Sequence, residues 1–156
     1  MSGSIDDMIQ RLQDYKKSLK AKADLLAKAL ADAGAEAVSI TYGAWPYKGP
    51  KDFDVTVEDR GPGSYAIVAS GQTVLILEFG AGVTYSATQH PMAGELGYGP
   101  GTYPGQTHAM DKRGWYLPKS AGGGHTYGNA PNAAMYYTAK SLREVIEKAA
   151  REVFGS

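Results

Sequence analysis

The sequence has 156 residues, of which 43% are hydrophobic and 21% charged, and this is the size and composition of one folded domain. It contains no cysteine, which excludes disulfide frameworks, thiolate metal sites and a cysteine nucleophile, and is typical of a protein made in the cytosol. Sixteen basic residues balance sixteen acidic ones, so no net charge draws the chain to nucleic acid or to an anionic membrane.

The first predicted element is a long amphipathic helix over residues 5–33. Ser4 is a suitable N-cap, acidic residues occupy the first turn, and Gly34 is predicted to end the helix. Such a helix is about 45 Å long, whereas a strand spans only about 17–20 Å. We therefore expect its N-terminal turns to extend beyond a short sheet. The apolar residues, spaced by three and four, are Ile5, Met8, Leu12, Tyr15, Leu19, Ala23, Leu26, Leu30 and Ala33.

Four segments with strand patterns follow the helix, and short turn-rich connections join them. They are predicted to form one four-stranded antiparallel sheet. The fourth is apolar on both faces, which favours a central position. The segments are residues 38–42, 52–58, 64–69 and 73–79.

The chain is predicted to end in a second amphipathic helix that begins near Asn132, after Asn129 and Pro131. The order of helix, four strands and helix indicates an α+β fold with helices packed on one sheet. We expect a single domain over residues 1–156. Its body comprises residues 4–79 and 129–154, and an inserted arm comprises residues 80–128.

The arm (residues 80–128) shows no sustained period of either kind. It holds twelve of the twenty glycines, five of the eleven tyrosines, Trp115 and all three histidines. A long loop inside a compact domain is uncommon and is often functional, and its aromatic content argues against a disordered linker. We predict an interaction arm with short strands, ordered by contacts outside its own domain.

A metal site is one candidate function of the arm. His90, His108 and His125 lie there together with Glu95 and Asp111, and imidazole and carboxylate are ordinary zinc ligands. The histidines are far apart, however, and none forms a helical pair of the kind found in zinc enzymes. A metal-assisted hydrolase is kept as an alternative, and surface or interface histidines are favoured.

Catalytic and cofactor motifs are otherwise weak. Asp52 and Asp54 would lie about 7 Å apart on one strand face, a spacing that paired catalytic carboxylates use. A solvated strand face is favoured instead, since Thr56 and Glu58 continue the same polar row. Ser64 lacks the flanking glycines of a nucleophile elbow. No glycine-rich phosphate loop precedes a helix. We predict no catalytic residue, no metal and no cofactor.

Two surfaces are predicted to mediate assembly. One is the apolar stripe at the start of the first helix, and the other is the aromatic arm with its root. A role as intramolecular core stays open for each residue, and the arm aromatics could instead stack on sugars in a glycan-binding module. The candidate interface residues are Ile5, Met8, Leu12, Phe79, Gly80, Tyr98, Tyr103, Trp115 and Tyr116.

Two short segments carry a resemblance to a known family. Glu78-Phe79-Gly80 ends a predicted strand, and Asn129-Ala130-Pro131 opens the final helix, which continues to Ala139. In layout and in these segments the chain resembles the small tail-component family of bacteriophages and prophages, the head-to-tail joining, neck or tail-completion proteins. It departs from the family in its longer arm and in Asn132, which stands where the family has an aromatic residue after the proline.

The resemblance implies a non-enzymatic virion subunit, made in the host cytoplasm and placed in the tail or neck. It implies a homo-oligomeric ring of six-fold symmetry between the connector and the tail tube, with connector, tail-terminator or tail-tube proteins as partners. DNA would pass through the lumen without being read, and a near-neutral wall suits that passage because basic walls retain phosphates. No membrane partner is expected, since the acidic N-terminus is unlike a signal peptide and apolar runs are short.

Overall fold

The computed structural model describes residues 4–82 and 89–154, and it confirms a fold of mixed helix and sheet. Within these residues the strands form two small antiparallel sheets of two strands each. A 3-10 turn, Lys119–Ala121, separates the last two strands. The elements are α1 (Ile5–Ala44), β1 (Asp54–Asp59), β2 (Tyr65–Ser70), α2 (Val74–Phe79), α3 (Ala93–Leu96), β3 (Trp115–Tyr116), β4 (His125–Thr126) and α4 (Ala134–Phe154).

Helix α1 begins at the predicted residue and is closed by a capping box. The Ser4 hydroxyl accepts a hydrogen bond of 3.2 Å from the amide of Asp7, and the Asp7 carboxylate accepts one of 3.2 Å from the amide of Ser4. Both bonds satisfy amide groups that a helix N-terminus otherwise leaves free. This local pattern explains why the start of α1 could be located from the sequence.

The predicted end of the helix at Gly34 is wrong, because α1 continues to Ala44. Gly34 is buried inside the helix, where a Cβ atom would meet Ile67 Cδ1 at 2.6 Å and Leu142 Cδ1 at 2.9 Å. Glycine in a helix interior costs about 1 kcal/mol relative to alanine. The close approach of β2 and α4 accounts for its presence here, so Gly34 marks a packing contact and not a helix end.

The predicted first strand, residues 38–42, is also wrong and forms the last turns of α1. Val38 and Tyr42 are fully buried while Ile40 is 64% exposed, whereas all three would face one side of a strand. Ala31 and Ala35 extend the buried row at helical spacing. The buried row therefore keeps helical spacing through a segment whose own composition favours a strand.

The second and third predicted strands are confirmed as the hairpin β1–β2. Asp54 is paired with Ser70 at one end and Asp59 with Tyr65 at the other. The hairpin is fastened to α1 through Asp24, whose carboxylate accepts bonds from the Gly63 amide at 2.6 Å and from the Tyr65 hydroxyl at 3.2 Å. The sheet thus lies against the C-terminal half of the long helix.

The predicted fourth strand is wrong, because residues 74–79 form the short helix α2. The amide of Leu77 donates to the carbonyl of Thr73 at 2.9 Å, and that of Gly80 donates to the carbonyl of Ile76 at 3.0 Å. A continuous apolar run has no period that distinguishes a buried strand from a buried helix. The predicted four-stranded sheet is consequently reduced to the hairpin.

The described part of the arm folds back on the body, in contrast to the expectation that its contacts lie outside its own domain. At its base, Ala81 and Asn129 exchange two backbone hydrogen bonds of 2.9 Å. In the C-terminal part of the arm, the carbonyl of His125 accepts a hydrogen bond of 3.3 Å from the Lys48 ammonium. Residues 83–88 of the arm are outside the described residues.

The second predicted helix is confirmed and begins at Ala134, two residues after the predicted start at Asn132. It packs beside α1, so closely that a Cβ atom at Gly34 would lie 2.9 Å from Leu142 Cδ1 and 3.4 Å from Thr138 Cγ2. The core lies where the C-terminal half of α1 meets α2 and the start of α4. Its buried members are Val38, Tyr42, Leu77 and Ala134. Among the described residues, no helix combines the length and apolarity needed to cross a membrane.

Candidate functional site

The glutamate of the segment Glu78-Phe79-Gly80 is a buried hub between three helices. One of its carboxylate oxygens accepts bonds from the Tyr42 hydroxyl at 2.8 Å and the Met135 amide at 3.1 Å. The other lies 3.0 Å from His90 Nε2 and accepts from the Tyr136 amide at 3.2 Å. The two amides belong to the first turn of α4, so the carboxylate caps that helix and complements its dipole.

The hydrogen bonds of His90 fix its tautomer. Its Nδ1 accepts the amide proton of Met92 at 3.0 Å, so Nε2 carries the ring proton and donates it to Glu78. Burial raises the pKa of Tyr42, and the neighbouring Glu78 carboxylate raises it further. The Tyr42 hydroxyl therefore stays protonated and acts as a donor. With four donors, the Glu78 carboxylate has its hydrogen-bonding needs met despite its burial.

The two segments that carry the family resemblance lie against each other at the root of the arm. Gly80 has a φ of 77°, and a Cβ atom there would lie 2.7 Å from both the Asn129 oxygen and the Pro131 nitrogen. The Asn129 side-chain amide donates to the carbonyl of Ile76 at 2.9 Å. Backbone amides 132 and 133 donate to the carbonyls of residues 77 and 78 at 2.9 and 3.1 Å. The segments form one joint that sets where the arm leaves and rejoins the body.

Part of the candidate interface lies within the chain's own packing. The ring of Phe79 packs at a tilted angle against His90, at 4.4 Å, and against Tyr98, at 4.5 Å, and Tyr103 continues the row edge-on at 6.2 Å from Tyr98. Gly80 and Tyr103 are buried and Tyr98 is half-buried. Burial raises the pKa of the Tyr103 hydroxyl. This row fastens the first part of the arm to α2.

The C-terminal part of the arm presents aromatic rings to solvent beside the root of the arm, and we call it the aromatic end. Trp115 is half-buried, Tyr116 is 78% exposed and Tyr127 is 50% exposed. The rings of Tyr116 and Tyr127 pack edge-on against His125 at 5.1 and 4.8 Å. An open groove of about 420 Å³ separates Trp115 and Tyr127 from Tyr47 on the body. The aromatic end consists of His108, Trp115, Tyr116, His125 and Tyr127.

The N-terminal half of α1 is the second exposed surface. All side chains of residues 4–23 are exposed, and Asp24, with its bonds to the hairpin, is where the rest of the body begins to cover the helix. Of the candidate residues, Ile5 is 78%, Met8 61% and Leu12 65% exposed. We call residues 4–23 the exposed segment of α1.

The structure does not bring the candidate metal ligands together. His90 is held by Glu78, whereas His108 and His125 lie at the aromatic end. Within residues 4–82 and 89–154, no three histidine, aspartate or glutamate side chains converge on a position that could hold a metal. The cavity beside His90 has a volume of about 20 Å³, which is room for about one water molecule.

Of the two aspartates of the predicted strand face, Asp52 has a structural role. Asp54 begins β1, and Asp52 precedes it. The Asp52 carboxylate accepts the amide of Gln72 at 3.2 Å, and its carbonyl accepts the Thr73 hydroxyl at 2.8 Å. Asp52 therefore shapes the turn that leads from the hairpin into α2.

The role of Glu78 as a hub did not emerge from the sequence. The available signal was a single carboxylate between Leu77 and Phe79 in an otherwise apolar run, since buried carboxylates require partners. The partners Tyr42 and His90 are 36 and 12 residues away, and no local pattern identifies them.

Comparisons with models of protein families, with curated proteins and with solved structures found no match to the chain.

Proposed function

We propose that the chain is a non-enzymatic structural subunit of a phage or prophage particle, in the head-tail neck or tail-completion region. It assembles with copies of itself as a ring, six-fold in symmetry, that joins the connector to the tail tube. Tail-terminator or tail-tube proteins are its neighbours along the particle axis, and DNA crosses the lumen without being read.

The observation that carries the proposal is the exposed segment of α1. Most of the stability of helices in proteins comes from packing of an apolar face and not from intrinsic helix propensity. Here Ile5, Met8 and Leu12 form such a face and are more than half exposed. Contiguous apolar surface of this kind marks an interaction site. The helix is thus suited to a protein whose folding is completed by assembly.

The joint at the root of the arm supports the resemblance to phage tail components. Glu78 and Gly80 come from one of the two segments that resemble the family, and Asn129 and Pro131 come from the other. Their contact gives both segments a common physical purpose, which is to hold an inserted loop at a fixed angle to the body. A subunit that must present a loop to a neighbouring subunit needs such a joint.

The aromatic end is the surface we assign to contacts around the ring. Exposed tyrosine and tryptophan are enriched in protein interfaces because they bury a large area at low cost in side-chain entropy. The balanced charge of the chain suits a lumen through which DNA moves, since clustered lysine and arginine would hold the phosphates.

Electron microscopy of the purified full chain tests this function. Ring-shaped particles of uniform diameter are expected, and the Tyr116→Ala variant should reduce the fraction of protein in rings at least tenfold. Tyr137→Ala is the matched control, because Tyr137 is exposed on α4 outside the aromatic end. Rings that persist unchanged in Tyr116→Ala would refute the assigned contact, and an absence of rings would refute the function.

The groove at the aromatic end favours one second candidate, a glycan-binding module. Its volume of about 420 Å³ and its lining by Trp115 and Tyr127 are suited to a small ligand that stacks on rings. Calorimetric titration with soluble cell-wall fragments would detect this activity. Binding by the wild type that is lost in Trp115→Ala would favour it over the structural role.

A further inference from the structure

Apolar residues on the exposed segment of α1 follow a heptad repeat. Those at the a positions are separated by seven residues, and two more occupy d positions. All six side chains are between 48% and 78% exposed. This repeat is typical of helices that pair in a coiled coil. The a positions are Ile5, Leu12, Leu19 and Leu26, and the d positions are Met8 and Tyr15.

The free part of the repeat is limited to residues 5–19. Lys22 occupies the next d position, and beyond it Ala27 and Leu30 line a groove shared with Leu142 and Ile146 of α4. The free seam is about 21 Å long. It is a narrow, straight apolar surface that fits another helix of similar length.

The charges of the exposed segment select the occupant and its direction. Its first half, residues 4–14, has three acids and one base, whereas residues 15–22 have four lysines and no acid. A second copy of the same segment, laid antiparallel, places each acidic half against a basic half. A parallel copy places like charges together, which is unfavourable. Opposed helix dipoles also favour the antiparallel arrangement.

We propose that residues 5–19 of α1 pair antiparallel with the same segment of a second copy of this chain. Leu12 lies at the centre of the pair, and Ile5 packs opposite Leu19 of the second copy. Asp6 and Lys20 lie on the same flank of the seam, at its two ends. In the antiparallel pair, the acidic end of this flank in one copy therefore meets the basic end in the other. The inference rests on the part of the proposed function that makes this segment an assembly surface.

The pairing has twofold symmetry and therefore joins two copies only. A ring needs a second, heterologous contact between neighbours, which the aromatic end supplies. The two surfaces lie on different parts of the chain, and they can be tested separately.

Engineered cysteines give a direct test, because the chain has none of its own. Two single variants of the full chain, Ile5→Cys and Leu19→Cys, carry tags of different size and are oxidised alone and as a mixture. Residues 5 and 19 of one helix are about 21 Å apart, and a disulfide requires Cα atoms within about 7 Å. The antiparallel pair predicts that the mixed disulfide forms at least tenfold more than either homodimer.

A second measurement guards against chance collisions of cysteines. In sedimentation equilibrium, the cysteine-free chain should reversibly form dimers or larger assemblies of even number. Leu12→Asp should weaken this pairing at least tenfold. Gln10→Asp introduces the same residue at an exposed f position, on the face of the helix opposite the seam and within the acidic half, and should leave pairing unchanged. Both positions lie in the exposed segment, so thermal unfolding of the body should be the same in both variants.

The outcomes separate this inference from the proposed function. A chain that stays monomeric would overturn both. Preferential Ile5-to-Ile5 disulfides, or association that Leu12→Asp leaves intact, would overturn only the antiparallel pair. Mixed disulfides together with sensitivity to Leu12→Asp would support the pair, even if electron microscopy showed no rings.

Discussion

The hydroxyl of Tyr42 donates a hydrogen bond of 2.8 Å to the carboxylate of Glu78, 36 residues further along the chain. Both side chains are buried, and the bond joins the last turns of α1 to α2. The Glu78 carboxylate also accepts hydrogen bonds from two amides in the first turn of α4. The three helices of the body are therefore joined at one charged group, and its removal should affect all of them.

We expect Tyr42→Phe to lower the free energy of unfolding by about 1–2 kcal/mol, because it removes one donor from a buried carboxylate and leaves the ring in place. Urea unfolding followed by circular dichroism measures the change. Tyr137→Phe, at a position that is 54% exposed, is the control and should be neutral. Equal stabilities of the two variants would show that the Tyr42 bond is not a stabilising contact.

Glu78→Gln should lower the free energy of unfolding further, by about 2–4 kcal/mol. The amide has one oxygen to accept from the four donors, and its own NH₂ group would face other donors. The loss of the negative charge also removes a favourable interaction with the N-terminus of α4. Glu36→Gln, at an exposed position of α1, is the matched control. A Glu78→Gln protein as stable as its control would refute the role of the carboxylate as a hub.

The raised pKa of Tyr42 predicts a loss of stability in alkali. The folded chain keeps the Tyr42 proton above pH 10, near the pKa of a tyrosine in an unfolded chain, so the folded state binds more protons there. The free energy of unfolding therefore falls as the pH rises above about 10. Tyr42→Phe lacks this group and should lose stability less steeply, by up to about 1.4 kcal/mol per pH unit. Parallel slopes for the two proteins would contradict the prediction.

Gly80→Ala should open the joint at the root of the arm. The left-handed backbone at Gly80 disfavours a side chain, and the new methyl group would collide with the backbone of residues 129–131. We expect the free energy of unfolding to fall by at least about 2 kcal/mol. Faster cleavage of the arm in limited proteolysis should accompany it.

Gly94→Ala is the control for this substitution. Gly94 lies in α3 with no atom within 4 Å of a new Cβ and with an ordinary φ, so alanine there should be neutral or slightly stabilising. If both variants unfolded and were cleaved alike, the joint would not depend on the close approach at Gly80.

Local signals in the sequence predicted the start of α1, the hairpin and α4. The capping box at Ser4, the alternation in β1 and the apolar stripe of α4 are each contained within a few turns or residues. They could be read because their stabilising contacts are close in sequence. The exposure of Ile5, Met8 and Leu12 followed from the length of the helix alone.

The errors arose where distant contacts decide the local structure. Gly34 has the character of a helix end, but its neighbours Ile67 and Leu142 come from β2 and α4. Residues 74–79 could form a strand or a helix, and in the helix that forms, Leu77 is buried and Glu78 caps α4. Those contacts join segments tens of residues apart, which propensity and periodicity do not report.

The mass of the full chain in solution tests the central claim most directly. Native mass spectrometry of the purified protein should show defined multiples of the 16.6 kDa chain, with closed rings, single or joined in pairs through α1, as the largest abundant species. It should also show dimers that disappear in Leu12→Asp. A single species of 16.6 kDa at chain concentrations up to about 100 µM would mean that the affinity between chains is weaker than a stable assembly requires. That result would contradict the account of this chain as an assembly subunit.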